Sequence, residues 1–244
     1  MERDGLWQNL MGIGLLVIVA LISIQISHME DSDSIRAAEA AANRARGEKR
    51  AVVAVDAGHG GRDPGKVGAG GQEEKEINLE IALRLKQYLE ASDVTVVMTR
   101  EEDLGLYSEE DSHKKAADME NRTRLIDSAT PDLAISIHQN SYHQDEVSGP
   151  QMFYYAGSEK GKRLAEILQE ELQTALAPER SNRSAKANNS YYLLLNVKAP
   201  MVIAECGFLS NPAEAALLSD KNYQDRIAWI LHMGIMKYLN EERQ

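Results

Sequence analysis

Three stretches of the 244-residue chain place a histidine or an acid where an apolar run stops: VAVDAGHGGRDPG at 53–65, LAISIHQN at 133–140 and MVIAECGF at 201–208. Each reads as a buried strand whose last residues turn polar, which puts His59, His138 and Glu205 at strand ends. Ligands bind beyond the carboxyl ends of strands in open α/β sheets, so the three side chains can share one sheet edge. Two imidazoles and a carboxylate suit either a metal ion or acid-base work. Each residue alone has a plainer reading. A histidine after a strand can simply hydrogen-bond within its loop, and glycines like those around His59 can cradle an anion. Their spacing, however, fits neither the dinucleotide nor the P-loop pattern. A carboxylate following MVIA is costly to bury unless it is paired or used. His28, His113, His143 and His232 fall in linker, loop or helix contexts and read as structural or solvated.

Hydrophobic periodicity supplies the elements that must position these residues. Strands are expected at AVVAVDAG, VTVVMTR, LAISIH, QMFYY and APMVIAEC. Helices are expected over EKEINLEIALRLKQYLEAS, near 115–128, at about 158–176 and over 222–239. In the first of these helices Ile77, Ile81, Leu85 and Leu89 recur every four residues, the spacing of a core-facing stripe. Strand-helix alternation implies an α/β fold: a single domain with a mostly parallel mixed sheet flanked by helices on both faces. No internal repeat is visible.

Composition narrows the function. The formal charge of -11 argues against a nucleic-acid surface, which needs a basic stripe. A single cysteine, Cys206, excludes an intrachain disulfide and a cysteine-rich zinc site, so a metal would have to use His and carboxylates. Residues 6–26, LWQNLMGIGLLVIVALISIQI, are long enough to span ~30 Å of hydrocarbon as a helix. A cleaved signal peptide or a buried core helix are the alternatives, but no small-x-small cleavage site follows the run. Arg3 before it and Glu30, Asp31 and Asp33 after it place the following domain outside. The expected organisation is a transmembrane anchor over 1–28, an Ala-rich charged linker over 29–50 and a catalytic domain over 51–244.

The segments VDAGHGGRDPGKVGAGGQEEKEINLEIA, DLAISIHQNS, GPQMFYY and PMVIAECGFLSNPAEAALL together resemble the zinc-dependent N-acetylmuramoyl-L-alanine amidases, the amidase-3 family of cell-wall hydrolases. The resemblance is colinear over about residues 51–240. It implies one Zn²⁺ per chain held by His59, Glu74 and His138, with Glu205 as the catalytic acid-base residue. Glu74 is the residue implied because Lys75 follows it, while helical phase alone leaves the adjacent Glu73 open. Such a site keeps a position for water, whose pKa zinc lowers toward ~7. The implied reaction hydrolyses the amide between the lactyl group of N-acetylmuramic acid and L-alanine in peptidoglycan. Arg100 and Arg122 read as ion-pairing residues that pin a strand end or helix, Asn140 and Gln151 as candidate substrate donors, and Cys206 as a packing residue.

SYYLLLNVKAPMVIAECGFLSNPAEAALL, GLYSEEDSHKKAADMENRTRLID and the lack of a wall-binding repeat are similar to the CwlD-type amidases of endospore formers. That group strips stem peptides in the spore cortex, the step toward muramic-δ-lactam. A vegetative cell-separation amidase and a non-catalytic peptidoglycan-binding relative are the alternatives. The expected partners are peptidoglycan, the membrane through the N-terminal helix, and an accessory protein of unspecified identity. The implied location is extracytoplasmic, in the intermembrane space of the developing spore.

Overall fold

The computed structural model describes residues 50–68, 70–176 and 183–243. The anchor expected over 1–28 and all of the linker except Arg50 lie outside the described residues. Among the described residues no helix is long and apolar enough to cross a membrane.

Six strands form one sheet: β1 (Val52–Ala57), β2 (Thr95–Met98), β3 (Leu133–Asn140), β4 (Gln151–Tyr154), β5 (Lys186–Ala187) and β6 (Met201–Phe208). Their order is β2-β1-β3-β6-β4-β5. The pairs β1–β2, β1–β3, β3–β6 and β4–β5 are parallel, and only β4–β6 runs antiparallel. The helices are α1 (Glu74–Ala91), α2 (Lys114–Ser128), α3 (Glu159–Leu176), α4 (Tyr192–Asn196), α5 (Pro212–Leu218) and α6 (Lys221–Glu242). The mostly parallel mixed sheet and the long helices are as expected. Three short elements, β5, α4 and α5, were not anticipated.

Strand alternation divides the core and places the site. Val53, Val55 and Ala57 of β1, Leu133, Ile135 and Ile137 of β3, and Val202, Ala204 and Cys206 of β6 join the large core. There they meet Ile77, Ile81, Leu85 and Leu89 of α1 together with residues of α3 and α6. The other set, Ala54, Ala134, Met201 and Ile203, faces a smaller cluster with Ile126 of α2 and Leu193 and Leu194 of α4. Side chains repeat every second residue along a strand, so Asp56, Ser136, His138 and Glu205 fall on this thinner face. The polar residues therefore interrupt no part of the large core.

Candidate metal centre and active site

His59 follows β1 in the left-handed backbone region, at φ 61°. This conformation is uncommon outside glycine and costs energy that its surroundings must offset. Two buried arginines supply the offset. Arg100 donates from Nε to the Ala57 carbonyl (2.9 Å) and from Nη2 to the Gly58 carbonyl (3.0 Å). Arg122 donates from Nη1 to the Ala57 carbonyl (2.8 Å) and from Nη2 to the His59 carbonyl (2.6 Å). Arg122 is anchored in turn by Asp56 (2.6 Å) and Asp118 (2.7 Å). Asp56 is buried among Arg122, Thr99 and Ser136. Burial works to raise its pKa, but the Arg122 guanidinium and the two hydroxyls bring it down to about 2. Both arginines thus hold the loop that presents His59: Arg122 as an ion-pairing and carbonyl-binding group, Arg100 through backbone carbonyls alone, without the expected ion pair among the described residues.

Glu74 opens α1, where a carboxylate also suits the positive end of the helix dipole. Its side chain is buried and lies between the two imidazoles, with Oε1 2.9 Å from His138 Nδ1 and Oε2 3.2 Å from His59 Nε2. Glu74 Oε1 accepts from the Gln139 amide (3.0 Å), and Oε2 from the Lys66 amide (2.8 Å). Asn78, one turn along α1, donates to Oε1 at 3.3 Å and to the Gly58 carbonyl at 3.1 Å. Glu73 instead pairs with Lys75 at 3.3 Å. The structure therefore brings Glu74, rather than its neighbour, against both histidines. Burial disfavours the Glu74 anion, yet the two imidazoles hold its pKa far below the usual carboxylate range.

The donor atoms of His59, Glu74 and His138 all lie within 4.8 Å of one another. The two Glu74 oxygens lie 2.9 and 3.2 Å from the nearest nitrogens of His138 and His59, so all three side chains can reach one small cation. On the far side of its ring, His59 Nδ1 lies 2.9 Å from Asp63 Oδ2, the carboxylate-histidine arrangement that orients a metal-binding imidazole. Burial lowers the His59 pKa, and Glu74 and then Asp63 more than reverse this, raising it to about 9. The pocket also excludes side-chain bulk. A Cβ on Gly58 would sit 2.3 Å from His138 Nε2, and one on Gly65 only 2.6 Å from Glu74 Oε2. Donor type, spacing and cradle all fit a zinc ion.

Glu205 lies directly across from His138 in the β3–β6 register. It is buried, and its Oε2 makes no hydrogen bond among the described residues. Burial raises its pKa to about 7, with Glu74 adding to the rise and the two histidines opposing it. His59, His138 and Glu205 open onto one cleft of about 420 Å³, whose other walls include Tyr191, Tyr192, Leu193 and Lys115.

Other expectations resolve differently. Gln151 does not face the cleft as a substrate donor. It is fully buried, donating to the Ser184 carbonyl (2.7 Å) and to Gln169 (3.2 Å) to satisfy the β4–α3 packing. Asn140 accepts from the Ser141 amide at 2.8 Å. Cys206 points into the large core, where burial pushes its thiol pKa well up. His232 bonds Ser92 at 2.8 Å, while His113 and His143 are exposed. Asp63 and Asn78 were not singled out beforehand, although each lies four residues beyond a ligand candidate.

The N-acetylmuramoyl-L-alanine amidase family model, Amidase_3, matches residues 53–237. The germination-specific N-acetylmuramoyl-L-alanine amidase of Bacillus subtilis is 40% identical over 194 residues, covering 78% of this chain and 81% of that protein. N-acetylmuramoyl-L-alanine amidase LytC of the same organism is 33% identical, covering 77% of this chain but 35% of LytC. Among solved structures, the CwlD amidase of Clostridioides difficile in complex with the GerS lipoprotein is 39% identical with a TM-score of 0.76, covering 78% of this chain and 99% of that one. The family match spans β1 through most of α6, and so every residue of the cluster just described. The chain belongs to the N-acetylmuramoyl-L-alanine amidase family.

Proposed function

We propose that this chain is a zinc-dependent amidase that removes stem peptides from muramic acid, with His59, Glu74 and His138 holding the metal and Glu205 moving the proton. The observation that carries the reading is the convergence of two imidazoles and an acid with an unpartnered oxygen from three neighbouring strands with a buried carboxylate from the start of α1. Bound there, zinc would supply Lewis acidity toward the scissile carbonyl and the attacking water. Glu205 accepts the proton of that water as its oxygen bonds the lactyl carbonyl carbon. The same carboxyl then delivers the proton to the L-alanine nitrogen as the carbon-nitrogen bond breaks, leaving a free amine and a lactyl carboxylic acid, which loses the second water proton to become the carboxylate. A pKa near 7 suits a group that must both take and give a proton at neutral pH. Asp63 and Asn78 fix the ligands, and Arg100 and Arg122 fix the loop that carries His59.

The finer reading is a role in the spore cortex. Support comes from the germination-specific relative and from the CwlD structure, which cover most of their own lengths with this chain. Removing the stem peptide frees the lactyl carboxylate, which can close to muramic-δ-lactam once a separate deacetylase has exposed the sugar amine. Residues 6–26 are the segment suited to anchor the enzyme outside the cytoplasm, where peptidoglycan lies. The complex of the similar C. difficile enzyme favours a lipoprotein as the accessory partner. Mass spectrometry of cortex muropeptides tests the role in spores that carry Glu205→Gln as their sole copy. Loss of lactam with retention of stem peptides is expected, and normal lactam would contradict it.

A further inference from the structure

We propose that Lys115 is a carboxylate-recognition residue of the active-site cleft, selecting stem peptides whose second residue carries a free α-carboxylate. The inference rests on the amidase reading and deepens it. From the metal cluster the cleft runs along the first turn of α2, where Arg62, Lys114 and Lys115 line its wall. Two of these cations are already committed. Arg62 donates to the Glu109 carboxylate at 2.8 Å. Lys114 donates to the Ser108 and Glu109 carbonyls at 3.0 and 2.7 Å and also pairs with the Glu109 carboxylate at 3.3 Å. Lys115 is exposed and makes no direct hydrogen bond or close ion pair among the described residues, although its charge reaches Asp63 and, against burial, helps to lower that carboxyl's pKa.

Helix stability does not account for Lys115. A cation in the first turn faces the positive end of the helix dipole. α2 has no acidic residue in that turn, and His113 at the N-cap makes no side-chain capping bond. A chain of formal charge -11 thus carries an exposed ammonium, against local helix electrostatics and with only the longer-range field of Asp63 acting on it, on the wall of the cleft that holds its proton-transfer group.

The substrate supplies a matching charge. In a peptidoglycan stem, L-alanine is followed by a glutamate joined through its side-chain carboxyl, so its α-carboxylate is free unless amidated. That group lies about five bonds, and on the order of 6 Å, from the scissile nitrogen. A peptide with its amide beside Glu205 and its chain running along α2 carries this carboxylate to the Lys115 wall. The Tyr191, Leu193 and Ile203 side of the cleft bears no charge to compete for it. Lysine presents three donors on a flexible stem and can follow such a carboxylate without a rigid fork.

The test uses the zinc-loaded full-length chain and two synthetic muramoyl tripeptides that differ only in whether the second residue's α-carboxylate is free or amidated. The free form is expected to be preferred by about tenfold in kcat/KM, chiefly through KM, the size of one charge-assisted hydrogen bond. Lys115→Met is expected to collapse that ratio to about one, and Lys115→Arg to retain most of it. Cleavage of both substrates by the native chain without preference, or an unchanged ratio in Lys115→Met, overturns the inference while leaving the amidase reading intact. Cleavage of neither substrate by the native chain overturns both.

Discussion

Two adjacent glutamates at the start of α1 have opposite surroundings, and a metal-binding assay can separate them. Glu74 accepts bonds from the Lys66 and Gln139 amides with both imidazoles against it, whereas Glu73 pairs with Lys75 at the surface. Glu74→Gln is therefore expected to lose stoichiometric zinc by elemental analysis, and Glu73→Gln to keep it. Asp63→Asn leaves the three proposed ligands in place but removes the carboxylate behind His59 Nδ1. Zinc affinity, measured by chelator competition, should fall about 10–100-fold. His59, His138 and Glu205 were legible in the sequence because each ends an apolar run. The roles of Asp63 and Asn78 were not, because an acid in a glycine loop and an amide on a helix face declare no partner until the chain folds. Gln151 misled for the converse reason: its type suits a substrate donor, and only packing shows that it serves Gln169 and the Ser184 carbonyl.

At the scale of elements, β1, α2 and the turn after β2 meet through Asp56, Arg122 and Arg100. Asp56→Asn leaves the Arg122 charge buried with one partner fewer, and should destabilise the domain by about 3–5 kcal/mol in denaturant unfolding. The same carboxylate sets a pH dependence. Its folded pKa, about 2, lies below its ordinary value of 3.8. The native state therefore binds the proton less readily than the unfolded chain. The resulting stability, on the order of 2 kcal/mol, is full above about pH 4 and is lost as pH falls toward 2. An acid titration of unfolding free energy should show this decline, and Asp56→Asn should flatten it. The long elements could be read from the sequence because their periodicity persists over many residues. Two residues of β5 and five of α4 carry no usable period, and α5 had a readable signal in Asn211 and Pro212. There the Asn211 side chain accepts from the Ala213 and Glu214 amides, with proline in the first turn.

At the scale of the whole molecule, the sheet brings residues 59, 74, 138 and 205 together from four elements, so metal binding should report on the folded domain as a unit. Zinc at one hundred times its dissociation constant should stabilise the chain by about 2.7 kcal/mol. Chelation should lower Tm correspondingly, and Glu205→Gln, which keeps all three proposed ligands, should show the same zinc-dependent shift in calorimetry. The order β2-β1-β3-β6 puts β1, β3 and β6 side by side, which strand-helix alternation suggested without establishing. The insertion of β6 between β3 and β4 could not be seen from chain order. The most direct measurement of the central claim is peptide release from purified peptidoglycan by zinc-loaded native chain and by Glu205→Gln, resolved by mass spectrometry. The native chain should release stem peptides bearing a free L-alanine amine, and the variant should retain its zinc while turnover falls about 10²–10⁴-fold. Undiminished release by the zinc-loaded variant would contradict the assignment of Glu205 as the proton-transfer group.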